Sequence, residues 1–209
     1  MNEKVKDILE WFYCIVIALV LALLFRYFIA TPTIVKQRSM FPTLKENQRL
    51  ILNRTHRITK KEPKVGDIIT FEAPSSTYTS LDADQNNPVA KYEDKSRGLL
   101  SKFAYYVLEI TKTSYIKRVI ATEGQHVVIK DGKVFINDIE FKEEYLQPDV
   151  ITESTEFTDF IVPEGYIFAM GDNRTRSTDC RAFGCVPIDK VEGTVVFRFW
   201  PLSNFGKIK

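Results

Sequence analysis

Histidine and cysteine are both scarce in this chain of 209 residues, which contains two histidines and three cysteines. His56 and His126 are isolated in sequence and belong to no zinc-binding motif. Cys14, Cys180 and Cys185 lack the even number of a disulfide framework and the companion ligands of a metal site. Cys180 and Cys185 are close enough to bridge, although free thiols are the simpler expectation. The sequence therefore predicts no metal or cofactor and points away from a histidine base.

Several common motifs are also missing. The sequence has no G-x-S-x-G nucleophile elbow, no G-x-x-x-x-G-K-[ST] phosphate loop and no H-E-x-x-H motif. It contains no internal repeat and no regular alternation of strands with helices. Its net charge is only +2, from 29 basic and 27 acidic side chains, and this balance gives no reason to expect nucleic acid as a partner.

One long apolar run is present at residues 11–30, WFYCIVIALVLALLFRYFIA, in which Arg26 is the only charge. A helix of this length spans about 30 Å, the hydrocarbon thickness of a bilayer. The alternatives are a buried core helix and a cleaved signal peptide, but the run is very apolar for the first and RYFIATP is a poor cleavage site for the second. We therefore expect a retained membrane anchor at 11–30 after a short segment at 1–10. The flanking lysines and arginines do not settle its orientation.

Beyond the apolar run, short β-rich segments alternate with turn residues, which is typical of an antiparallel sheet protein. Asp131-Gly132 predicts a two-residue hairpin, and Pro163 to Gly165 predicts another turn. The sequence thus indicates a mainly β domain over 31–209. The candidate strands are 49–54, 67–72, 115–122, 126–138, 165–170 and 193–200.

An insertion is expected at residues 73–114. Its first part, 73–98, is polar and is interpreted as a surface loop. LLSKFAYYVLEI at 99–110 then has the apolar spacing of an amphipathic helix. Such a helix packs on the core or lies on the membrane surface, and core packing is the more ordinary expectation.

Two segments are unusually rich in special residues. VKQRSMFPTL (35–44) holds Ser39, which is either a nucleophile or a hydroxyl in a turn before Pro42. GDNRTRSTDCRAFGCVP (171–187) concentrates charges that are either solvated or paired with one another beside a site. Composition alone does not decide between these alternatives.

A third segment, YIKRVIATEGQ (115–125), places Lys117 and Arg118 inside an apolar strand. If Lys117 is buried, the loss of hydration lowers its pKa, and a neutral amine can accept a proton from a serine. The alternative is an exposed edge strand with two solvated cations. Periodicity alone favours this solvated edge.

Taken together, the segments resemble the bacterial type I signal peptidases, the Ser/Lys endopeptidases that remove signal peptides from exported proteins. SMFPTL is similar to the box that carries the family's nucleophile, YIKRVIA to the box that carries its lysine, and GDNRTRSTDCRAFG to a third box. The boxes follow an N-terminal anchor in the family's order, and VVFRFWPLSNFG is similar to the family's last strand. Three boxes in order are far more specific than one.

The resemblance implies roles for particular residues. Ser39 would be the nucleophile and Lys117 the general base, whose amine Ser177 would orient. Asp179 and Arg181 would form a supporting ion pair. The third box would be held near the base by Gly171, Asp172 and Arg118. The substrate pockets would be lined by Val35, Gln37, Met40, Leu44, Tyr115 and Ile116.

The resemblance also implies a function and a location. The reaction would be peptide hydrolysis of signal-peptide-bearing preproteins by acyl transfer, without metal or nucleotide. The all-β domain would face the outside of a bacterial cell membrane, with a single pass at 11–30 and residues 1–10 in the cytoplasm. The alternative is a catalytically weak or inactive anchored domain that binds exported chains or a partner. A self-cleaving Ser/Lys regulator would need a DNA-binding domain where this chain has its apolar run.

Three positions depart from the family's pattern. Gln37 stands where the family has a small residue beside the oxyanion hole, which leaves the second oxyanion donor open. The turn after the lysine box keeps only Gly124, and Cys180 replaces a serine. The nucleophile, the base and the orienting hydroxyl are all retained.

Overall fold

A computed structural model of the protein describes residues 3–79, 81–93, 98–110, 112–154 and 156–208. One long helix precedes a domain of two antiparallel sheets, which confirms the predicted mainly β class. The helices are α1 (Glu3–Phe28), α2 (His56–Thr59), α3 (Leu99–Tyr106) and α4 (Cys180–Phe183). The strands are β1 (Ala30–Ile34), β2 (Arg49–Asn53), β3 (Ile68–Glu72), β4 (Ser114–Thr122), β5 (His126–Lys130), β6 (Lys133–Ile136), β7 (Ile139–Glu140), β8 (Asp159–Ile161), β9 (Tyr166–Met170), β10 (Val186–Pro187) and β11 (Val191–Trp200).

α1 is long and apolar enough to cross a membrane, with a mean hydropathy of 2.6 over its most apolar window. It begins before the predicted run 11–30 and ends at Phe28, so that the chain already enters β1 at Ala30. Pro32 disfavours a helical conformation at Thr31. The Thr31 hydroxyl also donates to the Arg26 carbonyl at 2.7 Å, which satisfies one of the acceptors at the end of α1.

All six predicted strands have counterparts in the structure. The run 126–138 is a hairpin of β5 and β6, in which Asp131 and Gly132 both have positive φ, as a two-residue turn requires. The large sheet has the order β1-β2-β11-β3-β4-β9-β10, and the small sheet has the order β7-β6-β5-β8. Buried residues of both sheets form one core, where the rings of Phe160 and Phe168 are 5.0 Å apart.

β4 lies inside the large sheet, between β3 and β9. Lys117 pairs with Ile69 on β3, and Arg118 pairs with Ile68 on β3 and Met170 on β9. The expectation of a solvated edge strand is therefore wrong. Both cations are buried, Lys117 against Ser39 and Arg118 against Asp172.

α3 is shorter than the predicted helix 99–110, and none of its residues is buried. The expectation that this helix packs on the core is therefore wrong for its apolar face. Leu99 and Leu100 are 89% and 86% exposed, and Phe103 is 47% exposed.

Candidate active site

Ser39 lies in a compact turn between β1 and β2. Within the turn, the Phe41 N–H donates to the Arg38 carbonyl at 3.1 Å and the Leu44 N–H donates to the Met40 carbonyl at 2.8 Å. Met40 and Leu44 are fully buried in a second core cluster with Leu50, Leu52, Ile68 and Val195. Because Val35 before Ser39 and Met40 and Leu44 after it are buried in this cluster, the turn holds the hydroxyl in a defined position.

Lys117 reaches Ser39 from β4. Its Nζ donates to Ser39 Oγ at 2.8 Å across 78 residues of sequence, and the two residues are only 1% and 4% exposed. Burial lowers the pKa of the Lys117 amine to about 8, although the nearby Asp179 carboxylate acts in the opposite direction. The Lys117–Ser39 pair thus joins a hydroxyl to an amine that loses its proton near neutral pH.

The Ser39 carbonyl is hydrogen-bonded to the third box, whereas the Ser39 N–H is free of protein partners among the described residues. The carbonyl accepts a hydrogen bond of 3.0 Å from the Asn173 N–H, and the Asn173 side chain donates to the Arg38 carbonyl at 3.0 Å. Within the described part of the chain, the Ser39 N–H makes no hydrogen bond to protein. It is therefore available to a carbonyl oxygen beside Ser39 Oγ.

Asp172 connects the third box to both of the other boxes. Arg118 on β4 forms a bidentate pair with the Asp172 carboxylate at 2.9 and 2.8 Å, with its guanidinium 4.0 Å from the Tyr145 ring centroid. Thr43, in the turn after Ser39, donates to Asp172 Oδ2 at 2.5 Å. One buried carboxylate thus fixes the turn relative to β4.

Asp179 and Arg181 form a second buried bidentate pair, at 2.9 Å for each contact. Asp179 Oδ2 also accepts from the Gly171 N–H at 2.9 Å. Burial acts to raise the pKa of the Asp179 carboxyl, but the hydrogen bonds and the charge of Arg181 outweigh it and lower the pKa. Asp179 is therefore charged, and its charge is neutralised by Arg181.

Gly171 is the point of closest approach between the third box and the Ser39 turn. A Cβ atom at this position would collide with Ser177 Oγ and with the Ser39 carbonyl oxygen. Ser177 Oγ is itself buried and, within the described residues, makes no hydrogen bond of normal geometry to Lys117; its hydroxyl interacts with the Asp179 carboxylate, whose pKa it helps to lower. The structure thus brings Ser177 beside the site, and its orienting role stays a prediction.

A cleft of about 400 Å³ lies between the 31–37 segment and the start of β4, and its lining stops one residue short of Lys117 and two residues short of Ser39 in sequence. Four of the predicted pocket residues line it: Val35, Gln37, Tyr115 and Ile116. The structure does not place Met40 and Leu44 there, because both are buried in the core beneath the turn. Beyond the predicted residues, the cleft is also lined by the charged side chains Arg26, Arg54, Glu109, Lys112 and Glu192.

Some residues of the site were not identified by sequence analysis. Thr43 and Asn173 lie inside the recognised boxes, so their position beside Ser39 and Asp172 was an available signal. Arg174 is buried and forms a close ion pair with Glu143, which had no sequence signal because 31 residues separate the two.

The histidines and cysteines take no part in this arrangement. His56 Nε2 contacts the Val191 carbonyl, and His126 pairs with exposed Asp159. All three cysteines are free, as expected. The Cys180 thiol accepts from the Ala169 N–H at 3.2 Å, and burial raises its pKa.

Known proteins are similar to this chain over most of its length. Residues 8–200 match the family described as Signal peptidase, peptidase S26. Thylakoidal processing peptidase 1 of Arabidopsis thaliana is 32% identical over 90% of this chain, but the chain spans only 47% of that protein, about half its length. Signal peptidase I P of Bacillus subtilis subsp. natto is 34% identical, over 99% of this chain and 96% of the relative.

A solved signal peptidase I of Enterococcus faecalis is 27% identical and covers 64% of this chain and 97% of its own, with a TM-score of 0.39. The family match extends through all three boxes and through β4 and β9. The chain therefore belongs to the signal peptidase family, peptidase S26.

Proposed function

We propose that this chain is a membrane-anchored serine endopeptidase that cleaves N-terminal signal peptides from exported preproteins. Ser39 is its nucleophile and Lys117 its general base. The observation that carries the proposal is the buried hydrogen bond of 2.8 Å between Lys117 Nζ and Ser39 Oγ. Burial favours the neutral amine, which is the form that accepts a proton. The relatives' names, signal peptidase I and thylakoidal processing peptidase, support the same chemistry.

The proposed reaction is acyl transfer in two steps. Neutral Lys117 takes the Ser39 proton while Oγ attacks the scissile carbonyl carbon, and it then passes that proton to the leaving amine as the C–N bond breaks. Water, activated by the same amine, next cleaves the acyl-enzyme ester. The free Ser39 N–H is placed to donate to the developing oxyanion, a contact typically worth about 3–4 kcal/mol.

The proposed substrate enters the cleft as an extended segment. The cleft is lined by residues that lie close in sequence to Ser39 and Lys117, namely Val35, Gln37, Tyr115 and Ile116. Since β1 and the start of β4 form its walls, an extended peptide between them can pair with backbone on either side. Gln37 is the residue in this wall whose side-chain amide is available as a second oxyanion donor.

The anchoring is part of the proposal. α1 crosses a bacterial cell membrane once, with its N-terminal end in the cytoplasm and residues 31–209 on the outer side. Its apolar window is not buried by any described residue, which supports lipid as its surroundings. An anchor of this kind confines the site to the bilayer surface, where the cleavage site of a membrane-inserted precursor emerges.

Substitution of the two central residues tests the proposal. We expect Ser39→Ala and Lys117→Ala to abolish processing of a purified preprotein in detergent or vesicles, with folding retained by circular dichroism. Ser203→Ala and Lys130→Ala serve as matched controls, because both residues are exposed. Processing by either site variant at the rate of the unaltered chain would contradict the assignment of Ser39 and Lys117 as nucleophile and base. An unaltered chain that binds precursor without cutting it would favour the inactive binding domain instead.

The pH dependence gives a second test. Because Lys117 must be neutral, log kcat/KM is expected to rise with a slope near one up to pH about 8 and then level off. The measurement is cleavage of a short peptide across the range in which folding is unchanged. A rate that stays flat far below neutral pH contradicts a lysine base.

A further inference from the structure

The exposed face of α3 is apolar. At about 100° per residue, Leu99, Leu100 and Phe103 fall within an arc of roughly 100° on this helix. The arc lies opposite Tyr105, whose hydroxyl donates to Glu72 Oε1 on β3 at 2.8 Å. The side of α3 that faces the protein is thus held by a polar contact, while its apolar side points outward. A helix that packs on a core has the reverse arrangement.

The C-terminal side of α3 is fixed to the end of the anchor. Arg26, in the last turn of α1, donates to the Leu108 carbonyl at 3.2 Å and pairs with Glu109 at 3.5 Å. Arg54, on the domain, pairs with the same Glu109 carboxylate at 2.7 Å. Burial acts to raise the pKa of Glu109, but the arginines around it lower the pKa, which keeps this ion pair charged.

A second contact places the C-terminal end of α3 beside the C-terminal end of α1. Tyr106, the last residue of α3, lines a cavity together with Tyr27 and Phe28, the last residues of α1. An arginine and aromatic residues at the end of an apolar span lie at the headgroup level of a bilayer. At about 1.5 Å per residue, α3 is roughly 12 Å long, so its whole length stays within that distance of the headgroup level.

We infer that α3 is an interfacial helix whose Leu99, Leu100 and Phe103 insert into the lipid bilayer beside the anchor. The inference rests on the proposed function in one respect, namely that α1 spans a membrane. Its physical basis is the exposed apolar face of α3 together with the contacts that hold the C-terminal end of α3 at the end of α1. The inserted helix also holds Glu109, which lines the cleft, at the level where a membrane-embedded substrate emerges.

The contact can be measured without reference to activity. An environment-sensitive fluorophore is attached through Leu100→Cys in the full chain carrying Cys14→Ser and reconstituted in phospholipid vesicles without substrate. Cys180 and Cys185 are buried and react poorly. Glu164→Cys is the control, because Glu164 is exposed and the next residue, Gly165, is hydrogen-bonded to Glu123 after the C-terminal end of β4, whereas the N-terminal end of β4 shares a cleft with Arg26 of α1. The label at position 100 is expected to be quenched by nitroxide-bearing lipid, and the label at 164 by aqueous iodide only.

Activity gives an independent readout. The triple variant Leu99→Ser, Leu100→Ser and Phe103→Ser should cleave a vesicle-embedded precursor about fivefold more slowly while it hydrolyses a short soluble peptide at the normal rate. Lys102→Ala, on the flank of the same helix, is the matched control and should leave both rates unchanged.

The failures are distinguishable. If α1 is no anchor or the chain is no peptidase, the unaltered protein fails to enter vesicles or cleaves neither substrate. If the interfacial role of α3 is wrong, the unaltered protein cleaves both substrates while the label at position 100 remains open to iodide. Shielding of that label by a second copy, detected as a dimer cross-linked through position 100, overturns the inference equally.

Discussion

Replacing Lys117 by methionine should make the protein more stable while it removes the activity. The lysine stem is surrounded by the sheet, and its amine is 1% exposed with Ser39 as its hydrogen-bond partner. Below its pKa of about 8, the amine carries a charge in a place that disfavours charge. Methionine has a similar shape and no charge, so it keeps the packing and removes this cost.

The magnitude follows from the pKa. The fall from 10.5 to about 8 corresponds to about 3 kcal/mol at roughly 1.36 kcal/mol per pKa unit. Loss of the bond to Ser39 Oγ offsets about 1 kcal/mol, so a net gain of about 2 kcal/mol is expected at pH 7. Since the unfolded chain holds this proton more tightly than the folded chain, the penalty persists below pH about 8 and disappears as the pH rises toward 10.5.

The assay is denaturant unfolding of the full chain in detergent, followed by circular dichroism at pH 6.5 and at pH 10. The advantage of Lys117→Met should be present at the lower pH and largely gone at the higher one. Lys130→Met, at an exposed position, controls for the general effect of removing a lysine. A methionine variant that is less stable at pH 6.5, or an advantage that does not change with pH, refutes the argument that burial lowers the pKa of Lys117.

Three further substitutions test the support around the pair. Gly171→Ala should remove most activity and destabilise by about 2 kcal/mol, seen by peptide cleavage and unfolding, because its Cβ meets Ser177 and the Ser39 carbonyl. Asp172→Asn should cost about 3 kcal/mol in unfolding experiments by leaving Arg118 buried and unpaired, and an Arg118→Leu, Asp172→Leu double variant should recover part of this loss. Ser177→Ala should lower kcat at a cost of no more than about 1 kcal/mol in stability, because the Asp179 carboxylate that its hydroxyl contacts keeps Arg181 and the Gly171 N–H as partners; an unchanged kcat would reduce Ser177 to a packing residue.

Sequence reasoning located the large strands well, because their β-branched runs and turn residues are local signals. The Asp131-Gly132 hairpin is the clearest case. It missed β1, β7, β8 and β10, which are short or contain proline and form only because a neighbouring strand is present. The predicted apolar run also extends two residues past the end of α1, since hydropathy counts Ile29 and Ala30 as apolar while Pro32 disfavours a helix there.

The candidate site shows a different limit. The boxes around Ser39, Lys117 and Asp179 were visible through a family resemblance, yet periodicity assigned Lys117 to a solvated edge. Whether a strand lies at the edge of a sheet depends on which strands pair with it. The strands that flank β4, namely β3 and β9, are distant from it in sequence. The same limit applies to Met40 and Leu44, because their burial depends on Leu52 and Val195, which reach the turn from β2 and β11.

The environment of Lys117 explains why the third box contains so many charged side chains. A buried amine with a low pKa is incompatible with an unpaired carboxylate nearby, since that carboxylate would stabilise the ammonium form. The Asp179 and Asp172 charges both act to raise the pKa of Lys117. Each carboxylate has its own bidentate arginine, Arg181 for the first and Arg118 for the second. The carboxylates can therefore fix Gly171 and the Ser39 turn by hydrogen bonds while their charges are largely neutralised, which leaves burial as the dominant influence on the Lys117 amine.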